Sequence, residues 1–125
     1  MTTTWTPDEL TRIGKADELR VTSRRTDGTL RPFVTIWAVR IDDAIYVRSA
    51  AGRDNGWFRR ALASGNGRIS AGGVERDARF EEPGTSVDGD VDRAYHAKYD
   101  RYGPSIVGTV VSAEAARSTL RLLPS

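Results

Sequence analysis

LRPFVTIWAVR, Leu30–Arg40, decides the fold. In an extended chain Phe33, Thr35, Trp37 and Val39 share one face, and Val34, Ile36 and Ala38 share the other, because side chains alternate along a strand. Both faces are apolar. The spacing therefore predicts one long strand covered on both sides, by a barrel interior on one face and by a helix or a second subunit on the other. Pro32 belongs near its start or at an edge, because it offers no N–H to a ladder. Before it, Glu18–Arg25 alternates moderately and Thr26–Thr29 supplies an Asp-Gly turn, a strong hairpin signal. After it, Asp42-Asp43 turns the chain and Ala44–Ser49 returns.

The remaining elements follow from local signals. Thr6 caps a short helix from Pro7 to about Ile13, Glu9 completes a capping box, and Gly14 ends it. Trp5 and Leu10 stand where a hydrophobic staple needs them. Trp57–Ser64 has helical spacing, with Asp54 or Asn55 as its cap and Gly65 as its stop. Arg68–Ala71, a Gly72-Gly73 turn and Val74–Glu82 read as a hairpin with at least one wet face. Val91–Tyr102 is an amphipathic helix with Tyr95, Tyr99 and Tyr102 on its apolar stripe, which either covers a ligand pocket or, as such stripes more often do, packs the helix onto a barrel. Gly103-Pro104 stops it. Ser112–Ala116 is a turn of helix, and Arg117–Leu123 a last strand. Six hairpin-linked strands with short helices give a single α+β domain, residues 1–125, around a closed or partly closed antiparallel barrel.

Composition excludes several functions. The 125 residues contain no cysteine, which excludes a disulfide framework, thiolate metal sites and cysteine nucleophiles. The one histidine has no partners at the motif spacing of a zinc site or a histidine triad, so no metal site is expected. His96 lies on the third helix as a partly exposed residue. No nucleotide fingerprint, Walker loop or nucleophile elbow occurs, so catalytic residues stay unassigned. A net charge of +2 argues against a general nucleic-acid binder. No apolar run is long enough for a membrane span. MTTTWTPDEL has neither the basic nor the apolar region of a secretory leader, so the cytoplasm is expected. Basic residues are 17 arginines against two lysines, a skew that a GC-rich genome would produce. Only arginines in special places carry functional meaning.

Those places fall in YVRSAAGRDNGWFRRALASGNGR, Tyr46–Arg68, which runs strand, glycine-containing loop, helix. Gly52 lets a backbone approach a ligand, and the loop and the helix start bring free N–H groups together. The stretch carries Arg48, Ser49, Gly52, Arg53, Arg59, Arg60 and Arg68, of which Arg53 and Ser49 can add charge-assisted and neutral hydrogen bonds to phosphate oxygens. An ordinary loop with solvated arginines and a core Trp57 would read the same way.

This stretch and the order of elements resemble the split-barrel flavin-binding superfamily, including pyridoxamine phosphate oxidase-like and deazaflavin-dependent nitroreductase-like proteins, and small bacterial proteins of unassigned function near it. Ser49, Gly52 and Arg53 resemble the phosphate loop, Trp57-Phe58 its aromatic pair and Ala63-Ser64-Gly65 its helix stop. Phe33–Arg40, with Thr35 and Trp37, resembles the strand that flanks the isoalloxazine ring. The family's loop lysine and second glycine are absent, unless Arg53 replaces the lysine, and a family asparagine falls on Arg60. The resemblance implies a six-stranded antiparallel split β-barrel with peripheral short helices. It implies a homodimer binding FMN or a deazaflavin coenzyme through Arg48, Ser49, Gly52, Arg53, Trp57, Arg60, Thr35 and Trp37, with oxidoreductase chemistry supplied by the cofactor. The alternative is a split-barrel binder of another small anion, or an interaction module, without redox activity. The sequence leaves open whether Trp37 and Trp57 meet a ligand or the core.

Overall fold

The computed structural model describes residues 4–125; the first three residues, part of the stretch read for a leader, lie outside it. The chain runs α1 (Pro7–Lys15), β1 (Leu19–Ser23), β2 (Val34–Ile36), β3 (Ala38–Ile41) and β4 (Ala44–Val47). It continues through a 3-10 turn (Gly52–Asp54), α2 (Gly56–Ser64), β5 (Asn66–Ala71) and β6 (Val74–Glu81). The last elements are α3 (Asp88–Tyr99), α4 (Pro104–Val111), α5 (Ala113–Ala116) and β7 (Leu120–Pro124). No helix among the described residues is long and apolar enough to cross a membrane.

All strand pairs are antiparallel, in the order β2-β1-β5-β6-β7-β4-β3. The two end strands of this order are consecutive in the chain. The expected single strand Leu30–Arg40 is therefore corrected to two strands with a break at Trp37, and this makes seven strands where six were expected. Leu30 contributes only a bridge to Arg24. The physical reason is a change of partner. Val34–Ile36 pairs with β1, while Ala38–Ile41 pairs with β4, so one segment joins the two ends of the sheet and nearly closes the barrel.

Backbone groups at the break need partners, because a buried unpaired N–H or C=O costs about 1–3 kcal/mol. Helix α3 supplies them. The Tyr95 hydroxyl donates to the Trp37 carbonyl (3.1 Å) and Lys98 Nζ to the Ala38 carbonyl (2.7 Å). The Tyr99 hydroxyl accepts from the Ala38 N–H (3.3 Å) and lies 2.8 Å from the Asp17 carbonyl and 3.1 Å from that of Ala38. Its ring stacks on Trp37 with centroids 4.0 Å apart and planes 3° from parallel.

The two-sided cover expected of Phe33–Arg40 is what forms. Ala38, with Val34 and Ile36 against it, faces the barrel core of Leu19, Val21, Ile45, Ile69 and Leu122. Val39, with Trp37 and Ile41, faces a second core beneath α3 that includes Val91, Tyr95 and Tyr99. Tyr95 and Tyr99 thus form the packing face of the helix, while Tyr102, in the turn beyond its end, is exposed.

Local signals set most boundaries. The Thr6–Glu9 capping box is present, and Trp5, in one core with Leu10, donates its indole N–H to the Leu122 carbonyl (2.9 Å). Gly14 does not stop α1, which ends at Lys15; Arg40 packs where its side chain would be. Asn55 caps α2 and left-handed Gly65 ends it. The third helix starts at Asp88, earlier than Val91, and Asp100–Tyr102 leaves it as a 3-10 turn. Residues 117–119 finish the turn after α5, so the last strand starts at Leu120. Helix α4 was not foreseen, because PSIVGTVV is rich in β-branched residues that favour strands. Pro104 at its first turn was the available signal.

Two tests follow from the break. Tyr99→Phe keeps the stack but removes the hydroxyl, and should cost about 1–3 kcal/mol in urea unfolding; an unchanged midpoint would show that solvent serves Ala38 equally well. Burial lowers the Lys98 ammonium to about 8 from 10.5, with Asp17 opposing. Between those values the folded chain binds fewer protons than the unfolded one, so this contribution raises stability as pH rises and is lost as pH falls through 8. Burial raises Tyr95 and Tyr99 above 10, which reverses the trend there. Lys98→Met should flatten the rise in thermal midpoint between pH 8 and 10; identical slopes would contradict it.

Candidate functional site

Five of the eight residues singled out from the sequence line one cavity of about 380 Å³: Thr35, Trp37, Arg48, Trp57 and Arg60. It opens between the β2–β3 segment, the start of α2 and the unforeseen α4. Val34 and Ile36 come from the sheet, Ala50 and Asn55 from the loop, and Ile106, Thr109 and Val110 from α4. The volume falls within the roughly 300–1,000 Å³ usual for small-molecule sites. Its walls are mainly apolar and aromatic. They hold no carboxylate, histidine or lysine, and no metal-holding cluster occurs among the described residues.

Arg60 is the free cation of this cavity. It is exposed and makes no hydrogen bond or ion pair among the described residues. Its guanidinium folds back over the start of its own helix, where a Cβ on Gly56 would lie 2.9 Å from Nη1. The charge therefore stands beside the N-terminal turn, whose Trp57 N–H is already held by Asn55 Oδ1 at 3.2 Å. Trp57 is buried, packed edge-on to Phe58, and Trp37 is half-buried with its other ring face on Tyr99.

Arg48 also lines the cavity, but its donors are engaged inside the fold. Nε donates to Thr119 Oγ1 (2.9 Å), Nη1 to the Val110 carbonyl (2.9 Å) and to Asp92, and Nη2 to the Asp88 carbonyl (3.2 Å). This buried guanidinium ties β4 to α3, to the end of α4 and to the approach to β7. It fixes the α4 wall.

Ser49, Gly52 and Arg53 do not join the cavity lining. Ser49 is fully buried; its N–H donates to Ser118 Oγ at 2.8 Å, and its own hydroxyl has no partner among the described residues. Gly52 has φ +71°, and a Cβ there would meet Glu114 Cγ at 2.7 Å, so its close approach is to α5 of the same chain. Arg53 points to the other side, with Nη1 donating to Glu82 Oε1 (2.5 Å) and to the Arg117 carbonyl (2.9 Å). Sequence reasoning treated Asn55 only as a cap and missed the α4 residues. Chemically, the cavity offers flat apolar walls for a planar ring, hydroxyl and amide groups at its edge, and one cation for an anion.

The family model described as "Uncharacterized protein conserved in bacteria (DUF2255)" matches residues 9–122. No curated protein matches the chain significantly. Among solved structures the fold is similar to an F420 reductase (12% identity, TM-score 0.59, 92% of this chain and 91% of that one). It is also similar to the FAD and heme binding protein from Mycobacterium smegmatis (16%, 0.54, 98% and 67%) and to a FAD-binding protein from Mesorhizobium loti (16%, 0.50, 97% and 89%). The chain has the split-barrel fold.

Arg48→Met should cost about 3 kcal/mol, the low end for a broken buried pair because Asp92 keeps solvent contact. Urea unfolding measures it; an unchanged midpoint would mean that α4 holds its place without Arg48.

Proposed function

The chain belongs to the DUF2255 family, and from that footing and its split-barrel fold we propose that the tryptophan-lined cavity binds a phosphate-bearing flavin or deazaflavin. The observation that carries this reading is the meeting of Trp37, Trp57 and the unpaired Arg60 at one cavity of about 380 Å³. The residues fit such a group: apolar walls take a planar ring, and the single unsatisfied cation takes a phosphate.

In this reading Arg60 holds the phosphate with a guanidinium fork, and Trp37 and Trp57 border the ring. Asn55, Thr35 and Thr109 hydrogen-bond its polar edge, and α4 excludes water through Ile106 and Val110. Arg48 is a positioning residue. Ser49, Gly52 and Arg53 build the loop from behind. A bound flavin or deazaflavin would supply transfer of electrons or hydride, so the chain needs no acid–base pair of its own. A homodimer belongs to the same reading, as the family resemblance implies, and the apolar Ile106 stands exposed on the cavity rim. A second reading, a small-anion binder without redox activity, draws on the unpaired Arg60 alone, which would hold an anion whether or not a ring fills the cavity.

Titration with FMN and separately with the deazaflavin coenzyme, followed by tryptophan fluorescence, tests the proposal. We expect saturable quenching by one of them below about 10 μM, weakened at least about tenfold in Arg60→Gln. No quenching by either at about 100 μM would overturn the cofactor reading in favour of the second.

A further inference from the structure

Beyond the cavity, on the other side of Arg60, four arginines surround a groove of about 510 Å³: Arg24, Arg31, Arg59 and Arg60. Thr26 and Ser64 complete its polar lining, and no acidic side chain lines it. Arg24 is the only one with an acidic partner. Its Nη2 donates to Asp77 Oδ1 at 3.0 Å, and that same oxygen accepts from Arg68 Nε at 2.9 Å. One carboxylate thus serves two guanidiniums. The side chains of Arg31, Arg59 and Arg60 have no hydrogen bond or ion pair among the described residues.

The arrangement is built. The Arg31 N–H donates to the Ser23 carbonyl (3.0 Å), and the Arg31 carbonyl accepts from Thr22 Oγ1 (2.5 Å). The Arg24–Leu30 bridge and an Arg24 Nη1 bond to the Gly28 carbonyl (3.0 Å) hold the hairpin arm that carries both residues. Helix α2 holds Arg59 and Arg60 opposite. Like charges held together with no counter-charge repel one another, and a cleft lined by one sign draws the opposite sign in. Guanidinium forks match phosphoryl oxygens. Arg31 and Arg59, the two unpaired forks that do not line the tryptophan cavity, suit a group with two negative charges. No aromatic ring lines the groove to stack a base, and the net charge is only +2, which disfavours a nucleic-acid strand.

We propose that this groove binds a small diphosphate anion, either inorganic or the diphosphate of a nucleotide, separately from any ligand in the tryptophan cavity. The inference does not rest on the cofactor reading.

Isothermal titration with inorganic pyrophosphate and with ADP tests it. The wild-type chain should bind about one equivalent with Kd below about 100 μM. Arg31→Gln/Arg59→Gln should weaken this at least about tenfold, while Arg93→Gln, a surface arginine on α3, should not. Tighter binding of ADP would identify a nucleotide, and equal binding the diphosphate alone; both support the site. If the double variant unfolds, Arg59→Gln on its exposed helical position should still weaken binding about threefold. Absence of pyrophosphate and ADP binding at about 1 mM would overturn the proposal, as would equal weakening by Arg93→Gln. Tighter binding of a single-stranded oligonucleotide would overturn it too. Where FMN quenches the wild-type tryptophans, loss of that quenching in the double variant would make the groove part of the cavity and overturn its independence; where FMN does not bind, pyrophosphate alone decides.

Discussion

The barrel depends on how the chain handles the peptide groups of Trp37 and Ala38. A strand that leaves one neighbour and joins another exposes donors and acceptors where neither ladder serves them well. Here side chains of one helix complete the pairing: Tyr95 to Trp37, and Lys98 and Tyr99 to Ala38. Helix α3 is thus more than a cover on an apolar face. It joins the two ends of the sheet chemically, and its rings supply the second core. The cavity inherits this arrangement, because Thr35, Ile36 and Trp37 at its wall are the residues that approach the crossing.

The arginines divide by partner. Arg48 is buried and saturated, and serves as a strut between β4, α3 and α4. Arg53 braces the loop against Glu82 and the Arg117 carbonyl. Arg76 is paired with Glu9. Arg31, Arg59 and Arg60 are different: they converge on open space without a carboxylate in the lining. A protein can support isolated surface cations at little cost, but convergence raises their mutual repulsion. Location and company separate a strut from a charge left without a partner.

Much of the architecture was legible because local chemistry agreed with the global fold. The Asp-Gly and Gly-Gly turns, the Thr6 capping box, Asn55 before α2 and the two apolar faces of Phe33–Arg40 each had one natural outcome. The break at Trp37 was not legible, since a change of strand partner leaves the alternation of side chains intact. Helix α4 was hidden because packing overrides the strand preference of its valines and isoleucine. At the site, Ser49, Gly52 and Arg53, with Arg48 beside them in sequence, resemble a phosphate loop by their order along the chain. In space Arg48 and Arg53 go opposite ways, and Ser49 and Gly52 turn inward. Arg60 was found through its helix position, and its true distinction, the lack of any partner, is invisible without coordinates.

Trp37 lines the cavity with part of its ring and stacks on Tyr99 with the other. Two selections therefore act on one side chain. A substitution that reshapes this wall also loosens the seam that shuts the barrel, so this position is a poor route for divergence. Thr109 and Ile106, exposed on α4 and outside both cores, carry no such double duty. The cavity can therefore change shape along α4 at little cost to the barrel, whereas the tryptophan wall is held by the fold.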